Sequence, residues 1–182
     1  MYNVIHIDEK WFYISKKAEK YYLLPEECDL ERSCKSKKFF TKVMFLIAIA
    51  RPRFDSDGNE VFSGNIGIFP FVTDEPAKRS SVNRRAGTLE TSPITSVGRD
   101  MRRISLFSKV LPAIMLKWPL NDMNKLIYIQ QDNAKVHIHP NDEKFRLAVS
   151  QSSLNIQLFC QPPNSSDLNV LDLGFFSAIQ TL

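Results

Sequence analysis

The stretch "IYIQQDNAKVH", residues 127–137, alternates apolar and polar residues and then runs into an acid, an amide, a lysine and a histidine. The alternation predicts a strand over residues 126–131. Asp132 and Asn133 fall at its tip, where a carboxylate must be solvated, paired or bound to a metal. Two other acids occupy comparable places. Asp8 ends the alternating run 4–8, and Asp172 lies near the start of a helical pattern over residues 168–179.

The rest of the chain supplies a scaffold for these acids. Residues 10–15 read as a second strand behind a tight turn. Residues 16–40 are charged, contain Pro25 and show no sustained period, which reads as a long loop. Residues 43–50 are continuously apolar, the signature of a strand buried on both faces. "RPRFDSDGNEVF" supplies turn chemistry, and residues 66–72 return as a strand. Residues 73–98, rich in Ser, Thr, Pro and Arg, read as a mobile insertion. Phe107, Val110, Leu111, Ile114, Met115 and Trp118 then fall at helical spacing. Pro112 would cost that helix about 3 kcal/mol if interior, so a kink or a start is expected near it. A helix over 142–150 and a strand over 156–159 complete the order. Strands first, then helices alternating with strands, predict an α/β fold: a mixed sheet covered by helices.

The 182 residues suit one domain, with loop insertions near 16–40 and 73–98. The longest apolar run is too short to span a bilayer, so no membrane association is expected. Cys28, Cys34 and Cys160 are odd in number and irregularly spaced, which argues against a disulfide framework. The net charge is +4, and the cations cluster. Lys35, Lys37 and Lys38 form one group, Lys78, Arg79, Arg84 and Arg85 a second, and Arg99, Arg102 and Arg103 a third. Such groups are either solvated loops or grips for a polyanion. "DSDGNE" at 55–60 has its glycine too early for a calcium loop and reads as a hairpin turn. No glycine-rich phosphate loop is present, which argues against ATP use.

Acids from two strand ends and a helix can converge at a sheet edge. Three clustered like charges need compensation, and oxygen-only ligands favour Mg²⁺ or Mn²⁺ over zinc. "VIHIDEKWF", "IYIQQDNAKVH" and "QPPNSSDLNVLDLGFF" together resemble the three catalytic blocks of mariner-like DDE/D transposases. Thirty-nine residues, 133 to 171, separate Asp132 from Asp172, as in the plant-type branch of that family. "KVMFLIAIARPRFD", "GNIGIFPFV" and "RSSVNRRAGTLET" extend the resemblance over nearly the whole chain.

The resemblance implies a ribonuclease H-like fold with the acids at one sheet edge. It implies a transposase catalytic domain, hydrolysing DNA phosphodiesters and transferring strands at transposon ends with two Mg²⁺ ions, for which Mn²⁺ substitutes. Asp8, Asp132 and Asp172 would be the catalytic and metal-holding acids, supported by Glu9, Asn133 and His137. The implied partners are terminal inverted repeats, target DNA and further copies of the chain, in the nucleus, with the basic clusters on phosphates. Val136 and Ser166 stand where the family usually has proline. The helix-turn-helix region expected before the first catalytic strand is absent from this sequence, and ten residues follow Asp172. The alternative expectation is therefore a truncated, inactive transposon remnant that binds DNA or transposase subunits.

Overall fold

The computed structural model describes residues 2–13 and 42–180. Lys35, Lys37 and Lys38, the cysteines Cys28 and Cys34, and the whole loop read at 16–40 lie outside the described residues. The chain divides into two compact units, one of Met1–Lys10, Phe45–Pro70 and Ser96–Leu182, the other of Trp11–Met44 and Phe71–Thr95.

The first unit holds a five-stranded mixed sheet. Its strands are β1 (Val4–Tyr13), β2 (Lys42–Ala50), β5 (Asn65–Pro70), β8 (Ile127–Gln131) and β9 (Ile156–Cys160), in the order β5-β2-β1-β8-β9. β1, β8 and β9 run parallel, with Ile5 beside Ile129 and Ile129 beside Leu158. β2 and β5 pair antiparallel, with a bulge between Ala48 and Ile49. Ile5, Ile47, Ile66, Ile127, Ile129 and Leu158 are fully buried, which explains why the central strands are rich in β-branched residues. A small hairpin, β3 (Arg53–Phe54) with β4 (Glu60–Phe62), turns on Asp55, whose carboxylate accepts the N–H groups of Asp57 and Asn59. The turn chemistry read at 55–60 is thus realised.

One helical run crosses the sheet: α1 (Arg99–Ser105), a π-helical turn over Leu106–Val110, and α2 (Leu111–Lys117). Pro112 lies in the first turn of α2, directly after the π-helical turn, where the hydrogen-bond pattern of the run changes. Leu106, Val110, Leu111 and Ile114 form the buried stripe. α3 (Glu143–Ser150) starts at Asp142, whose side chain accepts from the Phe145 N–H at 3.0 Å. A 3₁₀ turn (Ser166–Leu168), a π-helical turn (Leu171–Phe175) and α4 (Phe176–Gln180) close the described chain. No helix among the described residues is long and apolar enough to cross a membrane.

Two expectations change. No tight turn follows Asp8: β1 continues to Tyr13 as one strand, because Asp8 and Glu9 bond to distant side chains rather than to a local turn. The insertion read at 73–98 contains regular structure. In the second unit, β6 (Val72–Pro76) and β7 (Leu89–Pro93) form a regular antiparallel hairpin, from Val72 opposite Pro93 to Pro76 opposite Leu89. These strands are mostly exposed, so their sequence carries no apolar alternation to betray them.

Gly64 shows what the sheet demands of the backbone. It has φ +78°, and a Cβ there would lie 2.1 Å from the Ala50 carbonyl oxygen. Gly58 also has positive φ, +84°, but with open space around it. Gly64→Ala is therefore expected to cost about 3 kcal/mol, combining left-handed strain with displaced main chain, against about 1 kcal/mol for Gly58→Ala. Urea midpoints at constant m-value check the difference. Equal costs would contradict the close approach.

Candidate functional site

β1 and β8 run parallel, so Asp8 in β1 and Asp132 just after β8 are carried toward the same end of the sheet. The segment after β9 returns to this end. Gln130, buried in β8, donates from Nε2 to the Leu168 carbonyl at 3.0 Å and so pins that segment against the sheet. Gln131 does the same for the loop after Asp132, donating to the Ile138 carbonyl at 2.6 Å.

Asp8 and Asp172 are brought together by one amide. Asn169 Nδ2 donates to Asp8 Oδ2 at 2.7 Å and to Asp172 Oδ2 at 2.9 Å. Its Oδ1 accepts from the N–H groups of Leu171 and Asp172, capping the helical turn that carries the acid. Asn169 itself is buried. The other Asp8 oxygen accepts the Glu9 N–H at 2.7 Å. Lys10 Nζ stands 3.7 Å from Asp172 Oδ1. Burial pushes the Asp8 carboxyl up to about 6; the charges of Asp172 and Glu9 add to the rise, and the hydrogen bonds from Asn169 and the Glu9 N–H oppose it.

Asp132 is held differently. Its Oδ1 lies 2.6 Å from His137 Nδ1 and also accepts the Ala134 N–H. His137 Nε2 lies 3.0 Å from Glu9 Oε2, and Arg102 Nε donates to Glu9 Oε1 at 2.8 Å. Burial alone would favour neutral forms of Glu9 and His137. Their mutual hydrogen bond, with Arg102 beside Glu9 and Asp132 beside His137, reverses both directions: Glu9 is held below the usual carboxylate range and His137 above the usual imidazole range. The acids thus fall into a pair, Asp8 with Asp172, and a separate Asp132–His137–Glu9–Arg102 chain. Among the described residues, no three His, Cys, Asp or Glu side chains converge to hold a metal ion. Each acid has instead taken the protein donors nearest to it.

Asn133 is exposed. Lys78, Arg79 and Arg85 are exposed around the β6–β7 hairpin, and Arg84 is ion-paired with Glu90. The third basic cluster is consumed internally. Arg102 holds Glu9, Arg103 bridges Asp100 and Asp142 at 2.9 and 2.8 Å, and Arg99 donates to the Lys135 carbonyl. Sequence reasoning missed Asn169, although an amide three residues before an acid at a helix start is a capping signal. It also missed Arg102 as the partner of Glu9, a contact 93 residues distant that no local pattern announces.

Comparison with known proteins gives a fold. No protein-family model matches the chain, and no curated protein matches it in sequence. Solved structures do match. A pre-cleavage Mos1 transpososome aligns with TM-score 0.56 at 17% identity, over 99% of this chain and 42% of that one. The Mos1 mariner paired-end complex with Mn gives 0.55 at 18% identity, over 98% and 41%. The catalytic domain of Mos1 mariner transposase gives 0.51 at 15% identity, over 99% and 59%. The fold is that of the Mos1 catalytic domain, ribonuclease H-like. The chain spans about two fifths of the Mos1 chains in the complexes and three fifths of the catalytic-domain chain.

The raised proton affinity of Asp8 has a sign that can be tested. A carboxyl whose folded pKa exceeds its unfolded value adds stability below the unfolded value, and that contribution is lost as pH rises through about 6. Asp8→Asn, which cannot ionise, is expected to raise stability at pH 7.5 without divalent cations. The gain should be about 1–2 kcal/mol, from ~1.4 kcal/mol per pKa unit reduced for the solvent that reaches the group. It should vanish below about pH 4. Thermal melts in EDTA at several pH values measure it, and a uniform loss of stability would contradict the burial of an uncompensated charge.

Proposed function

We propose that this chain is the catalytic core of a DNA transposase of the mariner-like DDE/D type, cutting and joining phosphodiesters at element ends in the nucleus. The observation that carries the reading is the Asp8–Asn169–Asp172 arrangement. Two carboxylates share one neutral donor at a sheet edge, and one of them has its pKa raised to about 6. Lys10 stands beside Asp172 while Asp8 is largely buried with no cation of its own among the bonds that hold it, and the pair lies at the end of the sheet toward which the third acid, Asp132, is also directed. The Mos1 neighbours support the reading through their fold, and they include paired-end and strand-transfer complexes and complexes with Mn and Mg.

The oxygen donors fit magnesium or manganese, which take carboxylates in preference to softer ligands. Asp8, Asp172 and Asp132 would hold the ions. When bound, such ions activate an attacking hydroxyl and stabilise the leaving oxygen of the scissile phosphodiester. The chain's own residues do the positioning. Asn169 fixes the spacing of Asp8 and Asp172, and Gln130 fixes the segment on which Asn169 sits. Glu9, held by Arg102, gives His137 a second partner, so that His137 would keep Glu9 if Asp132 held a cation. Lys10, beside Asp172, supplies a cation for a phosphate, and Lys78, Arg79 and Arg85 contact backbone phosphates without reading bases. Several copies of the chain would act together on paired ends.

A second reading has its own observation. Asp132 is already paired with His137 and Asp172 already neighbours Lys10, as in a domain that binds DNA or transposase subunits without cutting. Nicking of supercoiled plasmid in Mg²⁺ or Mn²⁺ separates the two. The catalytic reading predicts metal-dependent nicking that falls about a hundredfold or more in each of Asp8→Asn, Asp132→Asn and Asp172→Asn, the scale on which groups acting at developing charge matter. Salt-sensitive duplex binding with no nicking would establish the remnant instead.

A further inference from the structure

The end of the sheet opposite the acids carries a second constellation. β1 and β8 begin here, just after Asn3 and Lys125, and β2 ends here, just before Arg51. Between them lies an open cleft of about 670 Å³. Tyr2 and Phe54 line it and are 58% and 59% exposed as residues, far more than packed aromatics would be. The Arg51 guanidinium lies 4.5 Å from the centre of the Tyr2 ring, and Arg51 is itself exposed. Lys125 reaches the rim, its side chain 62% exposed, at 2.7 Å from Asp122.

Beneath this rim the cleft is rigidly built. Arg53 is largely buried, ion-paired with Asp122, and lies 4.8 Å from the Trp118 ring and 5.7 Å from Phe62. It donates to the Tyr2 carbonyl and to Asn3 Oδ1 at 3.2 and 3.4 Å, which fixes the backbone that presents the Tyr2 ring. Asp122 neutralises one of the three cations, leaving the cleft with a positive excess. Two exposed rings, a guanidinium stacked on one of them and a second cation at the rim are the elements that hold unpaired bases and their phosphates. A duplex keeps its base faces stacked inside and offers such rings nothing.

We propose that this cleft binds a single-stranded segment of nucleic acid, with bases stacked on Tyr2 and Phe54 and phosphates on Arg51 and Lys125. The inference rests on the DNA reading above for the identity of the polyanion, but not on catalysis. A strand held at the far end of the sheet from Asp8 and Asp172 gives the chain a grip on unpaired DNA that is independent of its acids.

The test is fluorescence anisotropy of labelled dT₁₂ and of a duplex of equal length with the intact chain in EDTA, so that binding and nicking succeed or fail separately. Tyr2→Ala with Phe54→Ala is expected to weaken dT₁₂ binding roughly tenfold or more, as base–aromatic stacking contributes on that scale, and to leave duplex binding within about twofold. Tyr2→Phe should retain wild-type affinity. Arg51→Gln with Lys125→Gln should flatten the log–log salt dependence for dT₁₂ by about 1.4, from ~0.7 per phosphate on single strands. Both rings are surface groups, and unchanged thermal melts would show that their loss spares the core. Wild-type dT₁₂ affinity in the ring double variant would overturn the proposal. So would equal weakening of duplex and single strand, or no dT₁₂ binding by the native chain.

Discussion

A single amide, Nδ2 of Asn169, accommodates two carboxylates, and the arrangement of the acidic end of the sheet follows from it. Asp8 belongs to the central strand and Asp172 to the helical turn that closes the described chain, so the bond pair ties the end of the sequence to its beginning. The same side chain caps the turn through Oδ1. Burial raises the proton affinity of Asp8, the charge of Asp172 adds to the rise, and the hydrogen bond from this neutral amide offsets it only in part. Local geometry, tertiary contact and electrostatic frustration thus meet in one residue. Proteins keep such frustration mostly where chemistry needs it.

The neighbouring Asp132–His137–Glu9–Arg102 chain is the counterweight. It alternates acid and base, and burial strengthens each link. Without a cation, its members are better satisfied within the chain than Asp132 would be near two further carboxylates. With a divalent ion bound, Asp132 would have a stronger partner than the imidazole, and Glu9 would remain in contact with His137.

Much of this was legible in the sequence where the signal was local. Residues 43–50 are apolar because both faces of their strand are largely covered, residues 127–131 alternate as a strand does, and the acids at positions 8, 132 and 172 stand out because they interrupt or follow such patterns. The helical stripe through Leu111 and Ile114 was equally plain, and Pro112 falls where the hydrogen-bond pattern of the run changes. What escaped was either solvent-facing or long-range. The β6–β7 hairpin buries too little to leave a pattern, and a turn was expected at Glu9 because its real partners, Arg102 and His137, lie 93 and 128 residues away. At 15–18% identity to the Mos1 structures, the fold persists through this distribution of apolar positions rather than through particular residues.

The proposed function requires the Asp8–Asp172 edge to receive a divalent cation. The most direct measurement is the carboxyl ¹³C chemical shift of Asp8 as a function of pH, with and without Mg²⁺, assigned through Asp8→Asn. The account predicts a midpoint near 6 in EDTA and a midpoint well below it in Mg²⁺, because a bound cation favours the carboxylate. A midpoint that Mg²⁺ leaves in place would contradict it.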